Sequence, residues 1–271
     1  MKIIDAHIHC CSSPYFNQIA EEAAHVNTTE HLRTVFQEEG IVHGIVMGNQ
    51  TLDLSYHQYP EFLSYCIGLD SNCLNARSLT ASIDKVEQHL QRKNCVGIKL
   101  YPGYNSQYVF DTAYFPYYEL AKTYDKPVAI HTGDTAGTGG LLKYSHPLTI
   151  DEVAVAFPQV TFVMCHLGNP WIVDGIAVVD KNDNVAADLS GLFEGMVDPQ
   201  KIQKKSKGYL EHLRTWLGYL DQYDKLLYGT DWPLVNIPNY IAFIKSIIPE
   251  AYYEDVFYKN ALRIYRPANI C

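Results

Sequence analysis

The first apolar run of the chain ends in Asp5-Ala6-His7-Ile8-His9. Alternate side chains of an extended strand face the same way, so His7 and His9 point together and can reach one cation. A pair of this kind standing alone would equally suit two satisfied polar side chains at a strand end. It does not stand alone. His131 follows the run Val128-Ala129-Ile130, His166 lies in Met164-Cys165-His166-Leu167-Gly168, and Asp231 lies in Tyr228-Gly229-Thr230-Asp231-Trp232-Pro233. Five candidate metal ligands or proton carriers thus fall at the same end of four apolar runs, a coincidence that points to a metal site.

Groups so far apart in the chain need elements that converge. Eight apolar runs of strand length, rich in Val, Ile, Leu or Phe, cover residues 2–8, 41–47, 63–69, 96–101, 128–131, 161–166, 185–189 and 226–229. Amphipathic stretches bounded by turn signals predict helices over 29–39, 78–93, 117–124, 150–157, 171–179, 208–219 and 240–247. This alternation predicts an α/β fold, a (β/α)8 TIM barrel, with residues 1–271 as one catalytic domain and the eighth strand beside the first. An open doubly wound sheet is the main alternative. No G-x-G-x-x-G follows the first run, which weakens that alternative for a dinucleotide binder. No linker or low-complexity segment divides the chain. The long connections 10–28, 132–147 and 190–207 each follow a strand ending in polar residues. In a barrel they lie on the C-terminal face, where active sites are built.

The Asp-Ala-His-Ile-His start, the His-Thr-Gly at 131–133, the His-Leu-Gly-x-Pro-Trp at 166–171 and the Gly-Thr-Asp-Trp-Pro at 229–233 together resemble the amidohydrolase superfamily. More narrowly, they resemble its amidohydrolase 2 branch, which contains aminocarboxymuconate-semialdehyde decarboxylase and related lactonases. The segment Phe257-Tyr258-Lys259-Asn260-Ala261-Leu262-Arg263-Ile264-Tyr265 is similar to that branch's closing Asn-Ala-x-Arg helix, so the likeness runs from residue 5 to about 265. The resemblance implies that His7, His9, His131 and Asp231 are metal ligands. It implies that His166 contacts the metal-bound water or, as in binuclear relatives, a second metal, and that Asp231 also takes a proton from that water.

One divalent ion is expected, Zn2+ first and Mn2+ second, although His and Asp ligands also admit Fe and Co. Such an ion lowers the pKa of a bound water from about 15.7 to about 7 and polarises a carbonyl. His166, with an ordinary pKa near 6.5, is suited to move a proton at neutral pH. The expected function is that of a metal-dependent hydrolase. A metal-activated water attacks an ester, lactone or amide carbon of a small, carboxylated substrate, with His166 and Asp231 catalytic. The same branch includes non-oxidative decarboxylases, so a lyase is the alternative; a catalytically silent metal-binding barrel is the second. TatD-like nucleases also open with H-x-H, but they carry a Glu on strand four, where this chain has Lys99.

Lys99 ends the fourth strand. Its favoured role is an ammonium that binds a substrate carboxylate; a bridging carbamate and a structural ion pair are the other readings. Tyr101 and Trp171 are candidate substrate contacts. For these two, as for Tyr104, Asp134, Asp188 and Trp232, rim packing is the plainer role. Cys10 and Cys11 follow the histidine pair and read as small buried residues before they read as ligands.

The formal charge of −9 excludes a broad nucleic-acid footprint. No signal peptide and no apolar run of membrane length is seen, and the seven cysteines are scattered and odd in number. A cytoplasmic protein with free thiols is expected, acting on a small molecule without nucleic-acid or membrane partners; base rates favour a homodimer.

Overall fold

The computed structural model describes residues 1–49, 51–268 and 270. The apolar runs form eight parallel strands in sequential order: β1 (Ile3–Ile8), β2 (Ile41–Met47), β3 (Leu63–Leu69), β4 (Cys95–Leu100), β5 (Val128–Ile130), β6 (Phe162–Met164), β7 (Val185–Asp188) and β8 (Leu226–Leu227). The sheet closes between its ends. Ala6 N–H donates to the Tyr228 carbonyl, His9 N–H to the Trp232 carbonyl and Asp231 N–H to the His7 carbonyl. Asp5 braces this seam. Its carboxylate accepts from Thr230 N–H at 3.0 Å, from the Thr230 hydroxyl at 2.6 Å and from His7 N–H at 3.2 Å.

Strand alternation sorts the core into two layers. Small and medium side chains such as Ala6, Cys66, Ala129, Val163, Cys165 and Ala186 pack inside the barrel. Larger ones, among them Ile67, Ile98, Val128 and Phe162, pack outward against the helices. The helices are α1 (Pro14–Glu22), α2 (Thr29–Glu39), α3 (Leu79–Leu90), α4 (Pro102–Asn105), α5 (Phe115–Thr123), α6 (Thr149–Ala156), α7 (Ile172–Lys181), α8 (Pro199–Lys205), α9 (Lys207–Leu220), α10 (Ile237–Ile247) and α11 (Asn260–Tyr265). The last of these closes the N-terminal end. Asn260 donates to the Tyr223 and Leu226 carbonyls at 2.8 Å each, and Ala261, Ile264 and Tyr265 join the inner layer.

The structure departs from the sequence reading in three places. Among its described residues the β2–β3 crossover holds only a 3-10 turn at Leu54–Tyr56, because the segment 48–62 lacks helical periodicity. Two of the long connections carry helices of their own: Ser13 caps α1 and Asp198 caps α8, each followed by a proline that suits the first helical turn. Finally, β5, β6 and β8 stop short of His131, His166 and Asp231. Among the described residues no helix is long and apolar enough to cross a membrane.

Candidate metal centre

Two of the functional residues leave their strands through unusual backbone. His166 has φ 63° and Asp231 φ 56°. Side-chain-bearing residues rarely adopt this left-handed region, which costs on the order of 1–2 kcal/mol, and such strain collects at functional sites. Gly191 makes room for the His166 ring: a Cβ there would lie 2.6 Å from His166 Nδ1.

Hydrogen bonds fix the tautomer of each imidazole. His7 Nδ1 lies 2.9 Å from Asp188 Oδ2, and His9 Nδ1 lies 3.0 Å from the Met47 carbonyl oxygen. A carboxylate and a carbonyl only accept, so both rings carry their proton on Nδ1 and keep a lone pair on Nε2. His131 is held the other way round, with Nε2 donating to the Asp134 carbonyl at 3.0 Å. His166 Nδ1 meets Ser190 Oγ at 2.8 Å, and that hydroxyl gives its single proton to Asp188 Oδ1 at 2.5 Å. His166 therefore also donates through Nδ1 and keeps its Nε2 lone pair.

The bare nitrogens converge. His7 Nε2 and His9 Nε2 stand 3.3 and 3.1 Å from Asp231 Oδ1, and His166 Nε2 faces His131 Nδ1 at 3.2 Å. The His166 ring lies 4.8 Å from His7 and 4.9 Å from His131. Lone pairs aimed at one another and at a carboxylate repel unless positive charge lies among them. His7 Nε2 and Asp231 Oδ1 are buried without a hydrogen-bond partner, which costs about 1–3 kcal/mol for each group. These features fit a divalent cation. His7, His9 and Asp231 bring ligand atoms within 4.8 Å of one another.

The protonation states agree. Burial, then the charge of Lys99, pushes His7 down to about 4. Burial, then His166, drives His131 well below its ordinary value, and burial lowers His166 as well. Burial alone would raise Asp188, but the His7 imidazole, donating to it through Nδ1, holds that carboxyl well below the usual range; positive charge among the rings would do the same for Asp231. Neutral imidazoles and an ionised carboxylate are the forms that bind metal.

Sequence reasoning placed Asp188 only at the rim and did not single out Ser190, yet both stand behind the candidate ligands. Asp188, fully buried, accepts from His7 Nδ1, from the Ser190 hydroxyl and from His166 N–H at 2.9 Å. It orients two rings of the site at once, the task that carboxylates behind metal-bound histidines perform.

A cavity of about 500 Å3 opens above the cluster, within the range for small-molecule sites. His9, His131, His166 and Asp231 form its floor, and Tyr101 and Tyr104 stand in its wall. The Tyr101 hydroxyl donates to the Gly48 carbonyl at 2.8 Å. Two residues expected at the substrate lie elsewhere. Lys99 is fully buried inside the barrel, with Nζ 2.7 Å from Cys165 Sγ, and does not line the cavity. Its side chain joins the inner layer below the mouth, so the sequence expectation of a carboxylate-binding ammonium is not met. Trp171 packs on His146 at 4.8 Å, also away from the cavity. Trp232 is buried against His25 at 4.8 Å, and Asp134 serves through its backbone carbonyl. Cys10 and Cys11 are half-buried free thiols outside the ligand groups.

Fold and site together define a TIM-barrel enzyme of the metal-dependent type. The amidohydrolase model Amidohydro_2 matches residues 69–266, and the chain belongs to that family. No curated protein matches it. Among solved structures it is similar to an uncharacterised TIM-barrel protein of Bordetella bronchiseptica, with 18% identity, TM-score 0.74 and full coverage of both chains. It is also similar to a probable 2-pyrone-4,6-dicarboxylic acid hydrolase of Acinetobacter baumannii, with 16% identity and TM-score 0.62, covering 98% of this chain and 100% of that one. A third is the 5-carboxyvanillate decarboxylase of Sphingomonas paucimobilis, with 12% identity and TM-score 0.65, covering 98% and 99%. At these identities the likeness is one of fold.

Proposed function

We propose that the chain is a metal-dependent hydrolase that cleaves an ester, lactone or amide bond of a small molecule. The observation that carries this reading is the convergence of four imidazole lone pairs and the Asp231 carboxylate at the cavity floor and, for His7, just beneath it. His7, His9 and Asp231 would hold the ion, with His131 beside them; zinc suits this donor set. When bound, the ion supplies positive charge that acidifies water and polarises a carbonyl. His166 holds its Nε2 free to take or give a proton, because Ser190 occupies its Nδ1. Asp231, ionised and at the cavity floor, offers a second proton acceptor. The six described cysteines are free thiols, in keeping with a reducing, cytoplasmic setting.

Elemental analysis of protein purified without added metal tests the site. About one ion per chain, lost in His7→Ala, is expected for a mononuclear centre. Lactone or ester turnover should vanish in His166→Ala while the ion is retained. Protein that binds neither Zn2+ nor Mn2+ would overturn the proposal. The shared fold with a decarboxylase supports a second reading, loss of CO2 from a carboxylated substrate, which headspace CO2 measurement separates from hydrolysis.

A further inference from the structure

We infer that the cavity selects an uncharged aromatic ester or lactone and rejects di- and tricarboxylates; this deepens the hydrolase reading and rests on it. The walls carry the argument. Phe16, Ile19, Leu69, Tyr101, Tyr104 and Leu234 line the space above the histidines. Among the described residues no lysine or arginine does so. The lining carboxylates are Asp231 on the floor and Asp70 in the wall. Asp70 is already committed: its oxygens accept from Asn72 N–H at 2.9 Å, Cys73 N–H at 3.1 Å and the Asn72 amide at 3.3 Å.

Among the described residues the one fully buried ammonium does not line the cavity. Lys99 Nζ sits against Cys165 Sγ, 5.2 Å from the centroid of the Tyr101 ring, and it is Tyr101 that faces the cavity. A divalent ion held beside Asp231 would leave one net positive charge, which one anionic oxygen neutralises. Each further carboxylate would be desolvated in a wall of tyrosine, leucine, isoleucine and the Asn49 and Asn105 amides, with no lysine or arginine among the described residues to meet it, an expensive burial.

The aromatic preference is positive as well as exclusive. Phe16 lies tilted against His9 at 5.5 Å, while Tyr101 and Tyr104 lie 6.4 and 5.1 Å from His131. Aromatic rings thus flank both His9 and His131, a lining that suits a planar ring. The Tyr104 hydroxyl accepts from Ala136 N–H at 2.7 Å and keeps its own proton to donate to a substrate oxygen.

The test pairs binding with turnover on the metal-loaded chain. Calorimetry compares 2-tetralone, the uncharged carbon analogue of dihydrocoumarin, with isophthalate, the carbon-ring analogue of 2-pyrone-4,6-dicarboxylate. Steady-state assays compare the two lactones themselves. 2-Tetralone should bind at least about tenfold more tightly than isophthalate, and kcat/KM should favour dihydrocoumarin by at least the same factor. Ala136→Arg, which sets a cation at an exposed point of the wall, should narrow the binding gap by strengthening isophthalate alone. Tighter or equal binding of isophthalate, or no binding of 2-tetralone, overturns the inference. Binding of 2-tetralone without hydrolysis of dihydrocoumarin would remove the hydrolase reading and leave the cavity's preference standing.

Discussion

At the scale of single residues, one carboxylate governs the site more than any ligand does. Asp188 sets the His7 tautomer directly and the His166 tautomer through Ser190. Asn keeps the shape of Asp188 but replaces one accepting oxygen by an amide donor; with the amide at the Oδ2 position it faces the His7 Nδ1 proton, so that ring must turn its proton inward. Asp188→Asn should weaken metal binding about 10- to 100-fold, read by competition with a chelator, at little cost to the fold. An unchanged affinity would show that the rings choose their tautomers without it. The five groups that converge at the candidate centre were legible because their types are chemically telling and their strand ends recur. Asp188 was seen only as a rim residue and Ser190 not at all. A lone Asp or Ser after a strand has no spacing partner in sequence, and its meaning comes from the strand two places round the barrel. Lys99 was misplaced for a related reason. Charge at a strand end suggests the mouth, and only the register with Ala129 places it in the inner layer.

At the scale of elements, the seam between β1 and the segment after β8 positions the ligands. Thr230 donates twice to Asp5 and accepts from Trp232 N–H at 3.0 Å. Thr230→Val keeps the volume and the branched shape but removes the hydroxyl. It leaves buried Asp5 Oδ2 short of a partner, so denaturant unfolding should show a loss of about 1–3 kcal/mol. A loss confined to a few tenths would mean the backbone bonds alone hold the seam. The strands were legible almost to the residue where the run is long, as in β2 and β3, since buried parallel strands read as unbroken apolar stretches. β5, β6 and β8 proved shorter because their last residues turn to form the site, and no apolar pattern marks where a chain will turn left-handed. Helix α1 was hidden in a connection whose apolar residues face the cavity rather than the core.

At the scale of the whole molecule, buried histidines away from the site make stability depend on pH. His43, buried with Nε2 at 2.9 Å from Ser64 Oγ, is pushed by burial to about 4. Above about pH 6.5 the folded and unfolded states both hold it neutral. Between 6.5 and 4 the unfolded chain binds its proton first, so stability falls as pH falls. Asp5, raised chiefly by burial to about 7, works in the opposite direction over the same range. The prediction is therefore a difference: melting temperature should decline less from pH 6.5 to 4.5 in His43→Gln than in the parent chain. Parallel pH profiles would take His43 out of the account.

The closure of the barrel also has a consequence in time. Its first strand brings His7 and His9, and the partner they need, Asp231, arrives after seven further strands. While the chain is being made, an emerging nascent polypeptide carries two histidines that no carboxylate yet answers. The centre cannot assemble early or guide the first steps of folding; it records that the barrel has been completed. A fragment that stops before residue 231 is thus expected to bind the ion no better than a short peptide bearing His7 and His9.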